Sequence, residues 1–248
     1  MRKESGIQTL LQELEARARG KGVVYFGAAD LRPVADFIAE HEGEWLLEFP
    51  YAITGAMPAV DAWVAALTQH SNPKVMQSYR EFCQVIDDRW LDLEYEFSMF
   101  LQNNGYRALP ISEHSADKNK NRGVISHKLP AHLAGFGWIG KNTLLVTPER
   151  GPRVRLFTVL TSAPLIPTKP NVQLNYDGCG DCHLCVDICP IKALKGIPFS
   201  PDIPRDVRLN ATMCRDYRKK QEKLTGAPTC GLCLSICPVG QGKNKHIK

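Results

Sequence analysis

The chain has 248 residues, of which 44% are hydrophobic and 23% are charged, which suits one large folded domain or two smaller ones and excludes a disordered chain. The net charge of +5 is mild for this length and excludes the dense basic stripes of a dedicated nucleic-acid binder. No apolar signal segment opens the sequence, and no apolar run approaches the roughly 20 residues of a membrane span, so we expect a cytoplasmic protein without membrane contact.

The N-terminal part of the chain alternates helical and strand patterns. Leu10, Leu11 and Leu14 share one face of an amphipathic helix predicted over Gly6 to Arg19. The elements expected next are, in chain order, a strand over Lys21 to Phe26, a helix over Leu31 to Glu40, a strand over Leu46 to Ile53 and a helix over Pro58 to Gln69.

A long buried helix is predicted from Pro73 to Asn104. Within this stretch no Gly or Pro occurs after Pro73, and apolar residues recur at helical spacing. After a strand over Tyr106 to Ile111, the polar stretch from Ser112 to Asn121 is predicted to be a mobile loop. The remaining predicted elements are a short helix over His127 to Ala134 and strands over Asn142 to Thr147 and Val154 to Ser162.

A proline-rich linker from Pro164 to Pro170 is the best candidate for a domain boundary. Helices and strands alternate before it, whereas cysteines and turns dominate after it. The sequence therefore predicts an α+β protein with a cofactor and substrate domain over residues 1–168 and a cysteine-rich domain over residues 169–248.

Eight of the nine cysteines lie between Cys179 and Cys237. The first run has the spacing C-x2-C-x2-C-x3-C-P of bacterial ferredoxins, and its members are Cys179, Cys182, Cys185 and Cys189. The second run consists of Cys230, Cys233 and Cys237, and it has Ala227 where its first cysteine would stand. In a chain without a secretion signal, this pattern indicates metal binding rather than disulfides.

The last cysteine of a run binds the other cluster in two-cluster ferredoxins. This rule assigns one 4Fe-4S cluster to Cys179, Cys182, Cys185 and Cys237. The second cluster receives Cys189, Cys230 and Cys233, and the upstream Cys214 completes its four ligands.

Two structural zinc sites are the alternative, because C-x2-C pairs also bind zinc, but they would not account for the third cysteine of each run. Iron-sulfur chemistry is therefore favoured over zinc. The ninth cysteine, Cys83, lies beside Phe82 in the predicted long helix and is expected to be a buried, inert thiol.

The segment from Ala134 to Asn142 contains a G-x-G-x-x-G pattern. A dinucleotide-binding fingerprint would follow a strand and open a helix, whereas here a helix precedes the glycines and a strand follows them. We expect the glycines to let the backbone pass close to a bulky cofactor or to the cysteine-rich domain; a purely structural glycine turn is an equal alternative.

Taken together, the segment Ala134 to Asn142, the stretch Gly151 to Leu156, the start of the first cysteine run and the split second run with Cys214 closely resemble the epoxyqueuosine reductase family. The resemblance covers roughly Tyr79 to Gly240. It implies a cytoplasmic iron-sulfur reductase, related to reductive dehalogenases, with a nitroreductase-like α/β corrinoid-binding domain and a C-terminal ferredoxin-like double-cluster domain. The family's clusters reduce the cobalt of a bound cobalamin.

The resemblance also implies roles for individual residues. The eight cysteines would hold the two clusters. The corrinoid would be bordered by one continuous segment, which consists of Gly135, Phe136, Gly137, Trp138, Ile139, Gly140, Lys141 and Asn142. The low-potential electron donor would be of flavodoxin or ferredoxin type, and the substrate would be a small molecule or a modified nucleoside, with tRNA as a weaker candidate.

The chain departs from the family pattern where epoxide-reducing members carry an acidic residue and then a Glu-Arg pair. It has Asn121 near the first place and Ser126, His127 and Lys128 near the second, and it ends without the helical-repeat domain of those members. It therefore looks like a short, divergent relative. The candidate proton donors are His127 and Lys128, with His132 as a weaker one, and each has an ordinary surface or helix-cap role as its alternative.

Two other functions fit the residues. A ferredoxin-like electron-transfer protein would serve a partner enzyme and hold iron and sulfide but no corrinoid. An RNA-binding module would use the basic residues of the polar loop and its flank, namely Lys118, Lys120, Arg122 and Lys128.

Overall fold

The structure is a computed structural model that describes the backbone of residues 2–112 and 123–241, and side chains within those ranges from residue 8 onward. The helices are α1 (Arg2–Gly20), α2 (Ala35–His41), α3 (Asp61–Ala66), α4 (Pro73–Asn103), α5 (Lys128–Leu133), α6 (Leu184–Asp187), α7 (Arg205–Arg208), α8 (Ala211–Thr225) and α9 (Leu232–Ser235). The strands are β1 (Tyr25–Asp30), β2 (Tyr51–Pro58), β3 (Ala108–Pro110), β4 (Trp138–Ile139), β5 (Leu145–Val146) and β6 (Val154–Thr161). No helix among the described residues is long and apolar enough to cross a membrane.

The chain forms two compact units, and each combines several separate stretches of sequence. The first consists of Met1–Met57, Asp88–Phe136 and Arg155–Gln173, and the second of Pro58–Asp87, Gly137–Val154 and Leu174–Lys248. This division differs from the contiguous one expected from the linker, because the chain crosses between the units four times before the last crossing at residues 173 and 174. The contiguous boundary after residue 168 stays a prediction.

The first unit contains a four-stranded sheet in the order β1, β2, β6, β3. Strand β1 is antiparallel to β2, and β3 is antiparallel to β6. Aromatic rings fill its core: Phe97 packs at 6.1 Å from Phe26 and 5.8 Å from Phe157, and Trp90 lies 5.0 Å from Phe157. Gly55 is required beneath this cluster, because a Cβ there would lie 2.2 Å from the Phe157 ring.

The second unit contains the two-stranded sheet of β4 and β5, helix α3, the first half of α4 and helices α6 to α9. Its apolar cluster joins residues from three stretches of sequence: Ala59, Val64, Leu67, Met76, Tyr79, Cys83 and Ala227. Cys83 is 6% exposed within this cluster, as expected for an inert thiol.

The strongly periodic elements match their predictions, and α1, α4 and β6 end within a few residues of the expected positions. Two predicted strands were wrong in position. The strand expected at Lys21 begins at Tyr25, because Lys21 and Gly22 form the turn that ends α1, with Gly22 at φ +90°. The residues 44–48 form a 3-10 turn instead of a strand, and β2 begins only after Pro50.

Candidate metal centre

All eight clustered cysteines lie in the second unit, on turns and short helices that hold their sulfurs near one another. In the first run, the Cys179 N–H donates to Asp177 Oδ1 at 2.9 Å and the Cys182 N–H donates to the Cys179 carbonyl at 3.0 Å. These bonds form a tight turn, from which α6 continues and carries Cys185. Helix α9 carries Cys233 in the same way and packs against α6.

Four thiols form a first cysteine set, which joins the start of the first run to the end of the second: Cys179, Cys182, Cys185 and Cys237. The pKa of Cys185 is raised to about 11, first by burial and then by the thiols of Cys179, Cys182 and Cys237. Burial also raises the pKa of Cys237, whose other neighbours include Cys179 and Cys182. The four sulfurs are therefore close enough to influence one another electrostatically.

The other four thiols form a second cysteine set: Cys189, Cys214, Cys230 and Cys233. The pKa of Cys233 is raised to about 12, first by burial and then by the thiols of Cys230, Cys214, Cys185 and Cys189, of which Cys185 belongs to the first set. Burial raises the pKa of Cys214, and the Cys189 thiol adds to this rise. The pKa of Cys230 is likewise raised, first by burial and then by the thiols of Cys214 and Cys189.

Helix α8 brings Cys214 into the second set. The side chain of Asn210 accepts a hydrogen bond from the Met213 N–H at 3.0 Å and so caps the start of the helix, while Gly226 ends it in the left-handed conformation at φ +80°. The next residue, Ala227, is fully buried in the apolar cluster. Ala227, which stands where the second run lacks a cysteine, thus packs in the apolar cluster. Helix α8 supplies the thiol of Cys214 instead.

Both sets have the donor chemistry of an iron-sulfur site. Partly buried thiols with raised pKa values resist ionisation, and bound iron ions supply the positive charge that stabilises the thiolates. Within residues 2–112 and 123–241, no three His, Cys, Asp or Glu side chains are placed to hold a single metal ion. A zinc site would require four ligands within about 2.3 Å of one ion, whereas the sulfurs of a cubane each bind a different iron.

The glycine segment lies directly against the first cysteine set. A Cβ at Gly140 would lie 3.4 Å from Cys179 Sγ, which places this part of the backbone beside the first run. It would also lie 2.8 Å from the side chains of Asn142 and Val146, which would have to shift. The Trp138 indole covers Gly178, where a Cβ would be 2.6 Å from the ring. The glycines were expected to let the backbone pass close to a bulky cofactor or to the cysteine-rich region. The approach to the cysteine-rich region is present in the structure.

Two polar side chains fasten the segment to the cysteine loops. Lys141 donates from Nζ to the carbonyl oxygen of Gly180, and Asn142 donates from Nδ2 to the carbonyl oxygen of Cys233 at 3.3 Å. Both side chains are buried. The segment therefore contacts loops that carry members of both cysteine sets.

Comparison with known proteins identifies the cysteine-rich region. The sequence profile described as "4Fe-4S double cluster binding domain" matches residues 178–240, which include all eight clustered cysteines. The epoxyqueuosine reductase of Listeria monocytogenes is 38% identical over 95 residues, a region that covers 38% of this chain and 22% of that enzyme. Over this region the chain is similar to epoxyqueuosine reductases. It spans about a fifth of the Listeria relative that it matches.

Solved structures confirm the predicted fold. An epoxyqueuosine reductase solved with an epoxyqueuosine-modified tRNA-Tyr stem loop aligns with 98% of this chain and 68% of its own, with a TM-score of 0.56 and 19% identity. A second solved structure is that of a reductive dehalogenase, which suggests a mechanism for B12-dependent dehalogenation. It aligns with 93% of this chain and 32% of its own, with a TM-score of 0.62 and 17% identity. These likenesses support a nitroreductase-like α/β domain joined to a double-cluster domain.

The candidate proton donors lie in the first unit, at the start of α5. His127 occupies the N-cap position and Lys128 is the first helical residue, and both are partly exposed. The weaker candidate, His132, is only 1% exposed. The basic residues Lys118, Lys120 and Arg122 and the family-variant Asn121 lie outside the described residues.

The contacts of Arg153 with the loop of the last cysteine were missed by sequence reasoning. The Arg153 guanidinium donates to the carbonyl oxygens of Cys237 at 2.8 Å and Val239 at 2.7 Å, and so holds the turn that presents the last cysteine. The residue belongs to the stretch Gly151 to Leu156, which carries part of the family resemblance. Its spacing from the cysteines, 84 residues from Cys237, gives no local signal of the contact.

Proposed function

We propose that this chain is a cobalamin-dependent reductase in which two 4Fe-4S clusters deliver electrons for the reduction of a modified nucleoside. The observation that carries the proposal is the division of eight cysteines into two sets of four, with the glycine segment packed against the first. The clusters would supply one-electron transfer. Cobalamin, when bound, would supply a cobalt centre that accepts these electrons and acts on the substrate.

The ligand assignment is part of the proposal. The first cluster would be held by Cys179, Cys182, Cys185 and Cys237. The second cluster would be held by Cys189, Cys214, Cys230 and Cys233. The mutual electrostatic influence of the thiols within each set supports this assignment, which agrees with the rule that a run's last cysteine binds the other cluster.

The residues Gly135 to Asn142 would border the corrinoid. In support, this segment lies against Cys179, and an electron acceptor served by the first cluster has to lie next to it. His127 and Lys128 are the proposed proton donors, since their partial exposure lets them exchange protons with solvent. The relative solved with a modified tRNA stem loop supports a modified nucleoside as substrate, and we place the reaction in the cytoplasm with a flavodoxin-type or ferredoxin-type donor.

Anaerobic reconstitution tests the cofactor proposal. The protein is loaded with iron and sulfide, with and without cobalamin, and its iron, sulfide and cobalt contents are measured after gel filtration. We expect about eight irons per chain in both samples, as two four-iron clusters require, and about one cobalt in the second sample only. A full complement of iron with background cobalt would favour the electron-transfer alternative and reject the corrinoid. Reduction of an epoxyqueuosine-modified stem loop by the cobalt-containing sample then tests the substrate.

A further inference from the structure

Three buried side chains that donate protons or carry positive charge surround the first cysteine set: Trp138, Lys141 and Arg153. We call them the donor triad. The Trp138 indole N–H donates to Cys179 Sγ at 3.4 Å, which is a direct hydrogen bond to a proposed ligand atom. Hydrogen bonds to ligand sulfurs and net charge are two of the factors that set the reduction potential of an iron-sulfur cluster.

The two cations of the donor triad are buried beside the loops of the same set. Arg153 is 6% exposed and Lys141 is 5% exposed. In the described part of the chain, their hydrogen bonds go to backbone carbonyl oxygens, including those of Cys237 and Gly180, and not to carboxylates. Both positive charges therefore remain available to compensate negative charge in this region, with little screening by solvent.

The surroundings of the two sets differ. Acidic residues near the first set, Asp177 and Asp181, are partly or fully exposed, so that water screens their charge. In the second set, the Ala193 N–H donates to Cys189 Sγ at 3.4 Å and the Leu232 N–H donates to the Cys230 sulfur. Arg218, whose charge lowers the pKa of Cys214 and Cys230, is exposed. Of the buried cations in this unit, Lys141 and Arg153 donate to carbonyl oxygens of the first-set loops, whereas the Arg208 guanidinium lies 4.9 Å from the centre of the Phe199 ring.

We infer that the donor triad raises the reduction potential of the cluster held by the first cysteine set above that of the cluster held by the second. Reduction adds one electron to a site with four thiolates, so buried cations and an N–H···S bond stabilise the reduced form more than the oxidised form. An electron that enters the chain is held preferentially at the first set, beside the glycine segment. The inference rests on the two-cluster part of the proposed function and is independent of cobalamin.

Potentiometric titration followed by electron paramagnetic resonance tests this inference on the reconstituted protein without cobalamin. In Trp138→Phe, which keeps an aromatic ring but removes the N–H, we expect the reduced-to-oxidised ratio of one cluster to fall about tenfold at a fixed potential. That change equals about 59 mV for a one-electron couple. The other cluster should titrate unchanged. Lys141→Gln and Arg153→Gln should shift the same cluster in the same direction.

Trp63→Phe is the matched control, because its indole packs against the apolar cluster of the same unit. It should leave both potentials unchanged. If Trp138→Phe and Lys141→Gln keep full iron content and both potentials, the donor triad has only a packing role and the inference is overturned. If Arg153→Gln loses its cluster, the potentials of Trp138→Phe and Lys141→Gln still test the inference. Absence of clusters in the unmodified protein would instead reject the proposed function itself.

An independent observation concerns the exposed face of α8. This helix carries five basic residues and two acidic ones, against a net charge of +5 for the whole chain. Lys219, Lys220 and Lys223 are exposed, and so are the apolar side chains of Met213 (43%) and Leu224 (72%). Basic and apolar groups that occur together in this way are typical of a protein-docking surface.

We also propose that this face of α8 docks an acidic, low-potential electron-transfer protein of flavodoxin or ferredoxin type. The same helix carries Cys214, so a docked donor would lie near a ligand of the second cluster. The charge complementarity favours an acidic partner, and the neighbouring cysteine set favours a redox protein over RNA. In the step, the reduced donor loses one electron and the cluster of the second set gains it.

Stopped-flow reduction of the clusters tests this surface. In the double variant Lys219→Glu/Lys220→Glu, we expect the bimolecular rate with reduced flavodoxin to fall at least about tenfold at low salt, because electrostatic steering is lost. Photoreduced deazaflavin, which needs no docking, should reduce the variant at the normal rate. The control Lys74→Glu/Arg89→Glu reverses two exposed charges on α4 and should retain the flavodoxin rate. An unchanged flavodoxin rate, with loss of salt-dependent stem-loop binding, would overturn the proposal and assign the face to RNA.

Discussion

Replacement of Cys214 by alanine is expected to remove one of the two clusters. The variant deletes a thiol of the second cysteine set, and the corresponding position in the second run is the buried Ala227. The one cysteine outside the two sets, Cys83, is buried in the apolar cluster. We expect iron to fall from about eight to about four per chain after anaerobic reconstitution, since each cluster contains four irons. Iron and sulfide analysis, with paramagnetic resonance of the dithionite-reduced sample, measures the loss and shows which cluster signal remains.

Cys83→Ala is the matched control for this experiment. It removes a thiol that lies in the apolar cluster, among side chains such as Met76 and Tyr79, and it should keep the full iron content. Circular dichroism confirms that both variants retain their helices. If Cys214→Ala keeps about eight irons and two cluster signals, the assignment of Cys214 to the second set is wrong.

The cysteine framework was accessible from sequence because ligand spacing on a tight turn is local information. The spacing of the first run is fixed by the turn at Cys179 and by α6, and the crossing of the last cysteine of each run follows a general rule. The long helix α4 was equally accessible, since its apolar residues keep helical spacing over the whole stretch Pro73–Asn103.

The environment of the cysteines was not accessible in this way. Arg153 reaches the carbonyl oxygens of residues 235, 237 and 239 across more than eighty positions of sequence, and a buried arginine has no pattern that predicts its partners. The two-unit division was missed for the same reason. Three of its crossings fall inside continuous elements, namely β2, α4 and β6, where no linker pattern marks them.

Substitution of Gly137 by alanine is the second change for which we expect a large effect. A Cβ at this position would lie 2.0 Å from the carbonyl oxygen of Val146, which belongs to the paired strand β5. Backbone atoms cannot move aside as a flexible side chain can, so the sheet of β4 and β5 would have to shift. We expect the free energy of unfolding to fall by about 3 kcal/mol, at the upper end of typical overpacking costs.

Denaturant unfolding of the protein, followed by circular dichroism, measures the effect of Gly137→Ala. Gly20→Ala is the control, because a Cβ at the end of α1 meets no atom within 4 Å and alanine favours the helix. Since β4 also carries Trp138, whose indole bonds to Cys179, a displaced β4 should weaken that N–H···S contact as well. Gly137→Ala should therefore lower the stability and also shift the potential of the first cluster. Unchanged stability would show that the strand pair yields to the methyl group at little cost.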